Sequence, residues 1–159
     1  MTFRIGDQIV HPMHGAGTID SIVSRRINGV NREYYELRLP IGEMRVMIPV
    51  ESLTEIGVRP VISKEEAEAV WERLPVLTVE MTSNWNQRYR ENMLRIKSGD
   101  LMEVAKVVKG LCLRDRQRSL STGERKMLHN AKQILLSELV LAQSISFQDG
   151  ERRLNEILK

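Results

Sequence analysis

The residues of this chain whose types could carry chemistry are three histidines, one cysteine and a cluster of basic side chains around a tryptophan. His11 and His14 are close enough in sequence to share a metal ion. His129 is remote, however, and the usual ligand sets have no third candidate beside the pair. The Pro12-Met13-His14-Gly15 context reads as a loop after a strand, so no metal is expected. Cys112 falls on the apolar stripe of a helix. A reactive thiol needs partial exposure and cationic neighbours, so a structural thiol is the expectation. A lone cysteine makes no internal disulfide. Neither GxGxxG, GxxxxGK[ST] nor GxSxG occurs. The acids lie beside bases on helix faces, which reads as solvated i,i+4 pairing. No enzyme activity, cofactor or small-molecule substrate is expected.

The sharper signal is Thr82-Ser83-Asn84-Trp85-Asn86-Gln87-Arg88-Tyr89-Arg90. Ser83 or Asn84 can cap a helix, which places Trp85 in its first turn among polar neighbours. Arg88, Arg90, Arg95 and Lys97 add positive charge against Glu91. An aromatic ring among basic side chains at a helix start suits DNA. Arginines and the helix end hold phosphates, while the ring wedges against a base step. A half-buried tryptophan packing its helix onto a bundle would show the same residues. Trp71, on a stripe with Ala67, Val70 and Leu74, reads as core.

A second surface lies in the first part of the chain. If Met44, Val46 and Ile48 point inward, Arg45 and Met47 share the outer face, with Arg25 in a neighbouring strand or its turn. Methionine beside arginine is typical of partner surfaces. A single scattered exposed methionine would look the same.

The elements that must position these residues follow from composition and period. The 159 residues are 42% apolar and 28% charged, enough for a core and unlike a disordered or collagen-like chain. The length fits one ordinary domain or two small ones. No run of about 18 apolar residues is present, so no membrane span is expected. The opening residues lack the pattern of a secretory signal, and a cytoplasmic protein is expected. The net charge of +3 is unevenly spread. Residues 1–60 hold seven arginines and seven acids, whereas residues 81–118 hold nine basic residues and four acids.

Residues 18–23, 34–39 and 43–48 read as short strands, with turns at Asn28-Gly29 and Gly42. These suggest a small antiparallel β-barrel of SH3 or Tudor type. After Pro60 the period becomes helical. Ser63-Lys64-Glu65-Glu66 and Ser121-Thr122-Gly123-Glu124 read as capping boxes. Further helices are expected over 85–97, from Asp100, and from Ser146. The stretch 75–84 reads as the loosest linker. The expected fold is α+β in two domains: a β domain over 1–60 and a compact all-α domain of about five helices over 61–159.

Several motifs together resemble the CarD-like (CdnL-type) bacterial transcription regulators. They are Phe3-Arg4-Ile5-Gly6-Asp7, Val10-His11-Pro12, His14-Gly15-Ala16-Gly17, Tyr34-Tyr35-Glu36-Leu37, Ile48-Pro49, the 82–89 segment, Ser98-Gly99-Asp100, Arg114-Asp115 and residues 120–128. The opening motif also resembles the polymerase-interacting domain of the transcription-repair coupling factor. The resemblance implies a Tudor-like domain that binds the RNA polymerase β subunit, and a helical domain that contacts promoter DNA. It implies that Trp85 wedges into the minor groove at the upstream edge of the transcription bubble and stabilises the open complex. Arg88, Arg90 and Arg125 match the basic DNA-facing positions. Arg25, Arg45, Met47, Ile48 and Pro49 are the expected polymerase-binding residues. Gln87 and Met47 depart from the family pattern, each standing where a basic residue occurs in other members. A monomer delivered to the nucleoid by polymerase is expected. An RNA-binding small barrel and a protein-only scaffold are the alternative readings.

Overall fold

The computed structural model describes residues 2–159. The period-two stretches pair into one antiparallel sheet. Its strands are β1 (Gln8–His11), β2 (Gly15–Ile27), β3 (Val30–Arg38), β4 (Arg45–Pro49) and β5 (Arg59–Pro60), in the order β4-β3-β2-β1-β5. Asn28 and Gly29 have φ of 53° and 78°, the mirror-image turn that matches strand twist and joins β2 to β3. Leu39 N–H donates to the Met44 carbonyl at 3.0 Å across the turn containing Gly42. Met44, expected to point inward, belongs to this turn and is 50% exposed, because β4 begins only at Arg45.

The sheet does not close into the expected barrel. β5 pairs only with β1, and β4 only with β3, so both edges stay open. A last strand of two residues, one a proline without an N–H, is too short and too poor in donors to bridge to β4. A one-residue bulge between Ile19 and Ser21 leaves Asp20 outside the β2–β3 register. Beneath the sheet, Ile9, Ile19, Tyr35, Leu37, Leu39, Ile48, Leu53 and Val58 form one core. Leu53 belongs to α1 (Leu53–Ile56), a single turn that follows a short 3-10 segment.

Five longer helices follow, among the described residues: α2 (Lys64–Arg73), α3 (Trp85–Lys97), α4 (Leu101–Gln117), α5 (Thr122–Gln143) and α6 (Phe147–Ile157). Each starts on a polar side chain that accepts an otherwise unpaired backbone N–H: Ser63, Asn84, Asp100, Ser121 and Ser146 respectively. The Ser63–Glu66 capping box is complete in both directions.

Helix α5 is the central post. Residues 134–140 are all buried, the pattern of a helix with no solvent face. The sheet rests on it. Ala16 N–H donates to Ser137 Oγ at 2.8 Å, and Gly15 (φ 99°) lies so close to Ser137 that no Cβ would fit. Arg59 forks onto Glu138 at 2.6 and 2.7 Å, and Ile62 N–H adds a third bond to that carboxylate at 2.9 Å. Arg59 Nε also donates to the Gly99 carbonyl at 2.7 Å. The 77–84 stretch is irregular but not loose. Met81 and Val79 lie over Gly110 of α4, where an added Cβ would clash with Met81.

Candidate functional site

Trp85 stands where the N-termini of α3 and α5 meet. Asn84 Oδ1 accepts the Gln87 N–H at 2.9 Å and fixes the start of α3. One turn on, Tyr89 stacks against the indole, with ring centroids 5.0 Å apart and planes 19° apart. The indole Nε1–H donates to Ser121 Oγ at 3.0 Å. Thus held, Trp85 remains 41% exposed.

Arg88 is not a surface cation. The expectation that it faces DNA is corrected by its surroundings: Arg88 and Glu124 are each 2% exposed. Arg88 Nε and Nη2 donate to the two Glu124 oxygens at 2.8 and 3.0 Å, a bidentate pair. Its Nη1 donates to the Thr82 and Ser83 carbonyls at 3.1 Å each. The hydrogen bond to Glu124 raises the Arg88 pKa further, so the guanidinium stays charged. Glu124 consequently does not complete the expected capping box. Ser121 Oγ accepts Glu124 N–H at 3.2 Å, but the carboxylate is committed to Arg88.

Arg90 and Arg125 are exposed, and neither has an ion-pair partner among the described residues. Arg95 is tethered to Glu103 at 3.6 Å. Sequence reasoning missed a cleft of about 340 Å³ lined by Ser83, Arg114, Gln117 and Arg118. Its arginines were visible in the basic 81–118 window, and Arg114 in the Arg114-Asp115 motif, but not as a cleft. It missed Ser121 and Tyr89 as supports of Trp85; their spacing to the ring was legible for Tyr89 (i,i+4) but not for Ser121.

The second surface is the outer face of the sheet. Cross-strand pairs place Arg25 opposite Arg32, Tyr34 opposite Pro49, and Glu36 opposite Met47. Met47 is 37% exposed, and Ile27 and Val30 at the hairpin tip are more than half exposed. Arg25 is exposed, and β4 is an open edge. Arg45 is outward but already paired, with Asp20 and, at 3.3 Å, with Glu36. The bulge that expels Asp20 from the register delivers it to Arg45, and the hydrogen bond from Arg45 lowers the Asp20 pKa. Ile48, named among the expected polymerase contacts, is 0% exposed and packs beneath the sheet, so its side chain reaches no partner. Pro49 is half-buried at the end of β4.

The remaining groups are structural. The His11 and His14 rings lie 4.5 Å apart, and burial pushes the His11 pKa down. Among the described residues no cluster of three metal-ligating side chains occurs. Burial raises the Cys112 pKa, away from thiolate chemistry. Trp71 is 1% exposed and donates to Gln143 Oε1 at 2.9 Å. No helix among the described residues is long and apolar enough to cross a membrane.

Two family models match successive parts of the chain. Residues 3–62 match the family model described as the CarD-like/TRCF RID domain, and residues 69–155 match that of the CarD C-terminal domain. The chain belongs to the CarD-like transcription factor family. It is similar to "Putative transcription factor YdeB" of Bacillus subtilis (strain 168), at 35% identity over 144 residues, covering 91% of this chain and 94% of that one. Both matched segments of this CarD-like chain carry one candidate surface: the outer sheet face in the first, and the Trp85 mount in the second.

Proposed function

We propose that this CarD-like protein docks on the RNA polymerase β subunit through its sheet and stabilises the open promoter complex by inserting Trp85 at the upstream edge of the bubble. The observation that carries this reading is the state of Trp85. A large aromatic side chain is two-fifths exposed and yet held by a stacked ring and a hydrogen bond, beside a buried ion pair that joins the two helices. Such a ring enters a base step without first losing rotamer freedom. Arg90 and Arg125, with Arg114 and Arg118 of the neighbouring cleft, supply phosphate contacts. Arg88 instead joins the start of α3 to the start of α5 through Glu124.

On the polymerase side, the open edge of β4 offers backbone groups for strand addition, while Met47, Pro49, Arg25 and Arg32 supply side-chain contacts. Docking raises the local concentration of the helical part over the fork, so weak intrinsic DNA affinity suffices. The RNA-binding reading loses support because Tyr35 is 2% exposed beneath the sheet, leaving Tyr34 as the one sheet tyrosine on the outer face.

The test is open-complex decay after a competitor challenge. Trp85→Ala is expected to shorten the lifetime by about 5- to 150-fold, the range of aromatic–base stacking, with polymerase pull-down unchanged. Arg25→Glu is expected to abolish pull-down. A wild-type lifetime for Trp85→Ala sinks the wedge, and normal pull-down of Arg25→Glu removes that residue from the interface.

A further inference from the structure

The Trp85 indole carries one polar group, a donor, and the protein itself takes it up. Nε1–H points to Ser121 Oγ at 3.0 Å. Ser121 Oγ also accepts the Glu124 N–H at 3.2 Å, so both of its lone pairs are occupied. The arrangement is rigid at each end. Ser121 is the N-cap of α5, and the buried Arg88–Glu124 pair joins the first turns of α3 and α5. Tyr89 covers one face of the ring, and Gly123 lies against its benzo edge, where an added Cβ would meet Trp85 Cζ2 at 3.5 Å.

We propose that Ser121 is a specificity-determining residue: by accepting the indole donor on its own hydroxyl, it makes Trp85 a wedge that reads no base. The inference rests on the wedge reading above and extends it to base preference. In the minor groove every base pair offers acceptors at purine N3 and pyrimidine O2, and G·C adds the guanine amino donor. A free indole donor favours A·T, because the guanine amino group opposes it. A committed donor presents only ring carbon and is indifferent. Ser121 touches the ring rather than the DNA and acts through Trp85.

The experiment uses the full chain, polymerase, and four promoter fragments that differ only in the base pair at the upstream bubble edge. The readout is the open-complex lifetime with protein divided by that without it, which removes the intrinsic ease of opening A·T. Wild type is expected to give the same ratio on all four within about twofold. Ser121→Gly keeps most of the capping free energy but removes the acceptor. It is expected to favour A·T and T·A over G·C and C·G by about 2- to 12-fold, one net hydrogen bond. Ser121→Thr is expected to restore indifference. Ser146→Ala, which removes the cap of α6 alone, is expected to match wild type.

A readout independent of DNA is hydrogen exchange of the Trp85 indole proton, slow in wild type and fast in Ser121→Gly. An A·T preference already present in wild type and unchanged in Ser121→Gly overturns the inference, as does an indole proton that exchanges equally in both. If Trp85→Ala leaves every lifetime unchanged, the wedge reading fails and this inference falls with it. If Trp85→Ala shortens lifetimes while the base preference does not move, the wedge stands and the role of Ser121 is refuted.

Discussion

Trp85 and Arg88 share the first turn of α3, yet one faces solvent and the other is sealed. Each finds its partner 36 positions away: Ser121 accepts the indole N–H at the surface, while Glu124 meets Arg88 at 2.8 Å and draws it under the helix ends. Removing one member of such a pair strands a buried charge. Arg88→Leu is expected to lower unfolding free energy by about 3–5 kcal/mol in urea titrations, and the double variant Arg88→Leu/Glu124→Leu to recover much of it. A loss below about 1 kcal/mol in the single variant would show that the pair is not what holds the mount. The residue types here were legible in the sequence, but their partners were not. Periodicity reveals neighbours at i+3 and i+4, as with Tyr89 under Trp85. It is silent on pairs that only the packing of α3 against α5 creates. Glu124 fitted a capping box by spacing, and the stronger partner won it.

At the scale of elements, local chemistry was a good guide wherever one turn or cap decides the outcome. The Asn28-Gly29 hairpin, the Ser63 box and the start of α3 at Trp85 all follow from residues adjacent in sequence. Closure of the sheet was not legible, because it depends on how many residues β5 can offer to a strand far away. The same limit misplaced Met44, one residue before the alternation starts. The open edge that results is a liability for a soluble sheet unless something pairs with it or blunts it. Here β4 is five residues long, ends in proline and carries Arg45, which leaves Met47 as its exposed apolar contact. Met47→Asp is expected to weaken polymerase pull-down at least tenfold while changing stability by less than about 0.5 kcal/mol, as for other surface positions. Undiminished pull-down would show that the partner does not engage this strand.

For the molecule as a whole, the Arg59–Glu138 fork ties the sheet to the helix whose N-cap holds Trp85. Glu138 is 0% exposed, so its three bonds are made where water does not compete. A fixed relation between the two surfaces lets docking at one aim the other. Glu138→Gln keeps the shape but removes the charge that makes these bonds strong. It is expected to broaden the distance distribution between fluorophores on the β2–β3 hairpin and on α6. It is also expected to shorten open-complex lifetime while polymerase pull-down persists. An unchanged distance distribution would mean that the apolar contacts alone fix the orientation.

The same long-range bonds have a consequence for synthesis. Ala16 waits for a partner 121 residues downstream, and Arg59 for one 79 residues downstream. At ribosomal rates of about 5–20 residues per second, the first of these donors stays unmatched for roughly 6–24 s. The sheet is made first but completed last, by the helix that also carries the serine beneath the tryptophan.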